Sequence, residues 1–318
     1  MNFEVSVIIP VFNAESYVAK AIDSALQQSE VREVIVINDG STDQSVEIIE
    51  DLQKSDSRIK LFHHKNKINK GRSETRNLGI SKATSEYIAF LDADDFYLGN
   101  RFKNDHFLFK EDQITEGVYN AIGAHFYKEV SSQERQRLNL TSVTEVIEAK
   151  QLFNILLSGR LGYFSIDGLT VKKTVFNKTG VFNNTLKVAE DTDLIWKMAL
   201  KCKLVSGVID EPVAMRGVHD GNVFNNEDLY EEYNLKLFES ILFWSAKNNI
   251  DIKKIERIIE KIWILKSRQT HSVLKKMNYW FYLTTNMTST LFTYLTVKYF
   301  PLIRYRKTLF SFMYKQDK

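Results

Sequence analysis

Three carboxylates stand within four positions at Asp92-Ala93-Asp94-Asp95, directly after the apolar run Tyr87 to Leu91. Like charges this close raise one another's pKa unless a cation offsets them. Carboxylate oxygens are hard ligands suited to Mg2+ or Mn2+, and Mg2+ is usually held by one or two carboxylates together with substrate phosphates. The plainer alternative is an acidic turn capping the next helix, because Asp is a favoured N-cap.

Four further groups could do chemistry. Asn38-Asp39-Gly40-Ser41-Thr42-Asp43 combines a tight Asp-Gly turn with Ser/Thr helix caps. Asp39 at the end of a strand could also accept a hydrogen bond from a nucleotide base. Gly71 precedes a helix start, where the helix N-terminus with Arg72 and Arg76 would favour phosphate. The alternative there is an ordinary loop and a salt-bridged helix. Glu190-Asp191 precedes an amphipathic helix; Asp191 could be a general base, although a helix cap is the better reading of the pair in isolation. Arg216 and His219 follow a strand and could meet a diphosphate, but a lone His is more often structural.

The elements that must position these residues alternate. Apolar runs over 5–10, 33–38, 59–63 and 87–91 read as strands, and helical spacing appears over 17–28, 44–54 and from Ser73. Connections this short imply a mainly parallel sheet with helices on both faces, and ligands in such sheets bind at the carboxyl ends of the strands. Pro10 to Asn13, Asp39 and Asp92 to Asp95 all fall there. Farther on, 117–128 reads as one strand, 148–157 as a helix, 168–171 as a strand and 191–200 as a helix. A strand-like segment from Pro212 to Val218 is followed by two helices over 227–272 and an aromatic, basic tail from Tyr279.

The order Pro10-Val11-Phe12-Asn13, Asn38-Asp39-Gly40-Ser41-Thr42-Asp43, Asn69-x-Gly71 with Thr75-Arg76-Asn77-x-Gly79, Phe90-Leu91-Asp92-Ala93-Asp94-Asp95 and Glu190-Asp191 resembles the family 2 glycosyltransferases of GT-A fold. The match is strong over 5–98 and fair to about 222. It implies an α/β domain over 1–222, with a nucleotide-binding half at 1–98 and an acceptor-side half at 99–222; beyond it the resemblance ends, and the helical region over 223–318 with its basic aromatic tail is read from the residue spacing alone. It further implies that Pro10, Val11 and Asn13 lie beside the nucleotide, with Glu15 where the family often has Glu. Asp39 would contact the base, commonly uracil. Gly71 and Arg76 would support the nucleotide, Asp92 would lie near ribose and metal, Asp94 would coordinate Mn2+ or Mg2+, and Asp191 would be the catalytic base. Outside the resemblance, Arg216 and His219 stay candidate diphosphate contacts only. Asn38 stands where many members have Asp, and Phe12 where Tyr is common; neither change removes a required group.

The implied reaction moves a sugar from a nucleotide-diphosphate donor, a UDP-sugar by the family's habit, to an acceptor hydroxyl with inversion. The acceptor would be a sugar or a lipid-linked sugar in bacterial polysaccharide or glycolipid assembly. A nucleotidyltransferase of related fold and a non-catalytic nucleotide-sugar-binding protein are the competing readings. A Rossmann oxidoreductase is disfavoured, since no G-x-G-x-x-G follows the first strand.

Net charge of +3 argues against a dedicated nucleic-acid binder, and a single cysteine, Cys202, fits a reducing compartment. The N-terminus does not read as a signal peptide, and no window offers the roughly 18 apolar residues of a spanning helix. From Asp251 onward fourteen Lys/Arg face four Asp/Glu, a balance of +10 that leaves −7 elsewhere. Together with Tyr279-Trp280-Phe281-Tyr282, Tyr299-Phe300 and Arg304, Arg306 and Lys307, this suggests a cytoplasmic enzyme touching the inner face of the membrane through its tail. The alternative is that these aromatics pack on the two preceding helices.

Overall fold

The apolar runs that open the chain form the centre of a sheet. In this computed structural model, which describes residues 3–222, 226–290, 292–309 and 311–313, β1 (Val5–Val11) and β2 (Val31–Asn38) are buried at nearly every position. Strands covered on both faces read as unbroken Val/Ile runs rather than as alternation. β3 (Ile59–His63) pairs with β2, and β4 (Tyr87–Phe90) pairs with β1, all parallel.

The helices between them follow the periodicity. α1 (Val18–Leu26) buries Val18, Ala21, Ile22 and Ala25 in one core with Val7 and Ile9 of β1. α2 (Ser45–Ser55) buries Ile49 in that core. α3 (Arg72–Lys82) covers the opposite side of β1, where Gly79 meets Ile8.

Beyond β4 the chain departs from simple alternation. β5 (Phe96–Tyr97), α4 (Lys103–Glu111), β6 (Gly117–Tyr119), β7 (Ile122–Phe126), α5 (Ser132–Leu138), β8 (Leu140–Thr141) and α6 (Ala149–Ser158) come next. They are followed by β9 (Leu169–Lys172), α7 (Val175–Thr179), α8 (Glu190–Lys201), β10 (Leu204–Ser206) and β11 (Ala214–Val218). The main sheet has the order β10-β6-β9-β4-β1-β2-β3, with β9 antiparallel to both neighbours, and a second sheet runs β5-β11-β7-β8.

The single strand expected over 117–128 is therefore two strands in two sheets. Asn120 makes the break: its amide donates to Asp105 Oδ1 at 2.9 Å and to the Gly168 carbonyl at 3.0 Å, and its Oδ1 accepts from the Val208 N–H at 2.8 Å. A fully engaged buried amide holds the backbone out of a continuous strand.

The chain divides into two compact units, Met1–Tyr230 and Glu231–Lys318. Of the expected boundary at 222/223, residues 223–225 lie outside the described residues, as do Met1 and Asn2 of the N-terminal reading. The division falls within α9 (Glu227–Lys247), which is followed by α10 (Ile252–Gln269) and α11 (Val273–Asn286). Asp251 caps α10 by accepting from the Lys253 N–H at 2.8 Å. Ile255, Ile258, Ile259, Ile262 and Trp263 form the buried stripe of α10. No helix of the described residues is long and apolar enough to cross a membrane.

A methyl added at Gly79 would sit 2.4 Å from Ile8 Cγ2. Ile8 is β-branched, fully buried and stiff at χ1. Overpacking of about 1–3 kcal/mol should outweigh the roughly 1 kcal/mol that Ala gains in a helix. Gly79→Ala is expected to lower the urea midpoint at unchanged slope; an unchanged midpoint would show that α3 can move off the sheet.

Candidate active site

The carboxyl ends of β1, β2 and β4 converge on one edge, and their loops are tied together by hydrogen bonds. Pro10 and Val11 pair in register with Ile37 and Asn38, and the Val11 carbonyl accepts from the Asp39 N–H at 2.7 Å. Asn13, at φ 48°, places its Oδ1 2.8 Å from the Thr42 N–H while its own N–H donates to Ser41 Oγ. Glu15 accepts from the Gln44 N–H at 2.9 Å and donates its backbone N–H to Asp43 at 3.0 Å. The two loops therefore form one rigid ledge, with Phe12 exposed on it.

Asp39 is buried, and both of its oxygens are used. Oδ1 accepts from the Lys70 N–H at 2.6 Å and Oδ2 from the Gly71 N–H at 2.9 Å, with His64 Nε2 at 3.5 Å from Oδ1. Asp39 thereby holds the segment that leads into α3.

One guanidinium joins this edge to the second half of the unit. Arg76, 2% exposed, donates from one terminal nitrogen to Asp92 Oδ1 at 2.6 Å and from the other to Glu190 Oε1 at 2.8 Å. Arg72 Nε lies 3.3 Å from the same Glu190 oxygen. Burial pushes the Asp92 carboxyl up, but the charges of Arg76 and Arg72 outweigh it and hold the group below its ordinary value. Burial raises Glu190, against the pull of Arg76. Glu190 Oε2 and Arg76 Nε are buried without a hydrogen-bond partner among the described residues.

Asp191 follows Glu190 at the start of α8, whose preceding residue, Ala189, takes the left-handed conformation at φ 61°. That conformation is uncommon for a residue with a Cβ, and such strain is often found at functional sites. Asp191 is partly exposed and accepts from the Thr192 N–H at 2.7 Å.

The acidic turn after β4 separates into two environments. Asp95 and Asp167 lie deep: Asp95 accepts from the Gly217 N–H at 2.8 Å, and Asp167 accepts from the Asp92 N–H at 3.1 Å and the Ser165 hydroxyl at 2.7 Å. Oxygens of Asp92, Asp95 and Asp167 come within 4.8 Å of one another. Burial and then the charge of Asp167 push Asp95 well above the ordinary carboxylate range, and burial and Asp92 raise Asp167. Arg216 on β11 faces both acids; burial would lower its pKa, but Asp95 and Asp167 hold it above the ordinary value.

Asp94 is the more open member, its side chain 27% exposed. Its Oδ2 lies 2.8 Å from His219 Nε2 and accepts from Asn222 Nδ2 at 3.1 Å. The His219 ring stacks on Tyr17 at 5.0 Å, which fixes the imidazole. Burial and the charge of Asp92 raise the Asp94 carboxyl. A divalent cation relieves that combination, and a carboxylate oxygen is a fitting ligand for Mg2+ or Mn2+. Asp95 and Asp167 are raised as well, and with Asp92 they form a second acidic group that could hold a cation.

β11 lies directly against this turn because Gly217 has no side chain. A Cβ there would sit 2.2 Å from the Asp94 carbonyl oxygen.

Sequence reasoning missed Asp167 and the bridging role of Glu190. Asp167 precedes a strand, and because β9 is antiparallel to β4, its first residues lie at the edge where β4 ends. An Asp-Gly pair before that strand was the available signal.

Residues 6–156 match the family model described as Glycosyl transferase family 2. A glycosyltransferase of Rickettsia typhi is 31% identical over 243 residues, covering 72% of this chain and 69% of that protein. Other relatives, glycosyltransferases of Haemophilus influenzae and Rickettsia bellii, align over 100 and 101 residues; the chain spans only 39% and 14% of their lengths. Staphylococcus aureus TarS 1-349 in complex with UDP-GlcNAc superposes with a TM-score of 0.64 at 17% identity, covering 99% of this chain and 94% of that one. A mannosyltransferase from Pyrobaculum calidifontis, in complex with GDP-Man and Mn2+, gives 0.52 at 14% identity over 97% and 87%. These likenesses carry the fold. The protein is a GT-A type α/β structure with a helical C-terminal part. It belongs to the family 2 glycosyltransferases.

Removing one partner of a buried ion pair costs about 3–5 kcal/mol, because the other charge is left uncompensated. Arg76→Met takes the nearer cation from both Asp92 and Glu190 and leaves them Arg72. The folded-state pKa of Asp92 then rises and that of Glu190, already raised, rises further, so the folded form binds more protons and stability falls as pH increases through that range. The variant is expected to lose more stability at pH 8 than at pH 5 by denaturant titration. An equal loss at both values would show that the guanidinium matters for packing and not for charge.

Proposed function

We propose that the chain transfers a sugar from a nucleotide-diphosphate donor to an acceptor hydroxyl, with inversion at the anomeric carbon. The observation that carries the reading is the Arg76 bridge, which ties the strand-end residues to the Glu190-Asp191 pair. Nucleotide-site candidates and the candidate base thereby share one rigid frame.

The nucleotide lies on the ledge of Pro10, Val11, Asn13 and Glu15. Each Asp39 oxygen has a second acceptor position, so a uracil N–H can be taken up while the loop bonds remain. A UDP-sugar is the favoured donor, as the UDP-GlcNAc complex of the TarS neighbour also suggests. Asp92, oriented by Arg76, reaches the ribose. Gly71 and Arg72 at the N-terminus of α3, with Arg216, face the diphosphate.

Asp94, with His219 beside it, would coordinate a divalent cation, Mn2+ or Mg2+. When bound, it would offset charge on the leaving diphosphate. Asp191 accepts the acceptor hydroxyl's proton as that oxygen attacks C1 and the C1–O bond to the diphosphate breaks. An oxocarbenium-like transition state is expected, and a positioned base contributes roughly 10²–10⁴-fold. The acceptor is a sugar or lipid-linked sugar of bacterial polysaccharide or glycolipid assembly, met at the inner face of the cytoplasmic membrane.

Calorimetry with UDP and GDP tests the site. UDP is expected to bind in Mn2+, to weaken at least tenfold in EDTA, and to weaken equally with Asp94→Ala in Mn2+. Undiminished binding and turnover in chelator would remove the metal from the scheme, and GDP binding without UDP binding would overturn the uridine preference.

A further inference from the structure

The C-terminal unit carries a surface that its own packing leaves open. Between Glu260 and Asp317 the sequence holds ten Lys or Arg and no Asp or Glu. Seven large apolar or aromatic side chains between Phe292 and Met313 are exposed, Phe292 completely. Single exposed apolar residues need no explanation, but a concentration of them beside unpaired cations does.

Of the aromatics that stand out in the sequence, Phe281 and Tyr282 are exposed, but three others are taken up inside the unit. Tyr279 donates its hydroxyl to Glu239, Trp280 donates Nε1 to the Thr296 carbonyl at 3.2 Å, and Tyr299, 2% exposed, donates to Glu260 at 3.1 Å. These hold the unit together. What remains outside lies mostly on and around two short helices, α12 (Tyr294–Lys298) and α13 (Pro301–Arg304). They expose Val297, Leu302 and Ile303, with Phe292 just ahead.

The basic residues divide in the same way. Lys298 pairs with Glu256, Lys276 lies over the Tyr305 ring, and Arg304 lies over the Tyr299 ring. Arg306 and Lys307 are exposed and have no carboxylate partner among the described residues. Aliphatic and aromatic groups next to uncompensated cations match a surface with anionic headgroups above hydrocarbon. The carboxylates packed against this stretch, Glu256 and Glu260 of α10, are engaged by Lys298, Tyr294 and Tyr299, which leaves the cations of Arg306 and Lys307 in excess.

We propose that the segment from Phe292 to Leu309 docks on an anionic phospholipid bilayer. Phe292, Val297, Leu302 and Ile303 enter the boundary between headgroups and acyl chains, and Arg306 and Lys307 sit among the phosphates. The inference deepens the inner-face placement proposed above and rests on it for which membrane is meant. It does not depend on the donor or the base.

Flotation of the full chain tests it, using vesicles of phosphatidylcholine alone or mixed with phosphatidylglycerol. Binding is expected only to the mixed vesicles at low salt, with loss near 1 M salt, where the screening length falls to about 3 Å. Arg306→Gln with Lys307→Gln should weaken partitioning by about 25-fold, roughly fivefold per charge. Phe292→Ser with Ile303→Ser, both on exposed side chains, should weaken it by at least tenfold. UDP affinity, measured on the same preparations, should not change, so failure here leaves the transfer reaction untouched. Absence of flotation with mixed vesicles, equal binding to neutral ones, or flotation of both variants like the parent would overturn the proposal.

Discussion

The site depends on a single buried cation. A guanidinium removed from water costs several kcal/mol unless it is paired and hydrogen-bonded, and Arg76 meets that requirement with two carboxylates from distant parts of the chain. Asp92 lies just past the end of β4, and Glu190 begins α8. The pairing of Arg76 therefore joins the first turn of α8 to the carboxyl end of β4. Asp191 is the next residue on that helix after Glu190.

The acidic turn shows how burial sorts chemically identical groups. Asp92, Asp94 and Asp95 are neighbours in sequence, yet one answers to Arg76, one to His219 and one to Gly217 and Arg216. Asp95 and Asp167 anchor the turn to β11 and to the start of β9, so they are best understood as its foundation. Asp94 is the more exposed member and lies beside an imidazole. A nucleotidyltransferase could use the same acidic turn, and Glu190 would pair Arg76 in either case, but it would need no base at Asp191.

Much of this was legible in the sequence because parallel strands advertise themselves. Continuous apolar runs marked β1 to β4, and the polar residues just beyond them marked the edge where the site lies. Legibility ends where the sheet changes direction. In an antiparallel strand the site edge coincides with the first residues, so Asp167 lies ahead of its strand and not past its end. The break at Asn120 was hidden because a polar residue inside an apolar run reads as strand alternation, whereas its amide bonds to Asp105 and Gly168 come from far away in sequence. Glu190 looked like a helix cap because nothing local reveals Arg76 across more than a hundred residues. In the tail, composition gave the aromatic and basic character but not which aromatics the unit consumes in its own core.

The account stands on the claim that the frame built around Arg76 presents Asp191 as the base. The most direct measurement is turnover of Asp191→Asn on the nucleotide sugar that the parent consumes, with UDP affinity determined in parallel. Loss of about 10²–10⁴-fold in kcat at unchanged UDP affinity is the expected result. Parental turnover in the variant would contradict the account, because the bridge would then hold in place a residue the reaction does not need.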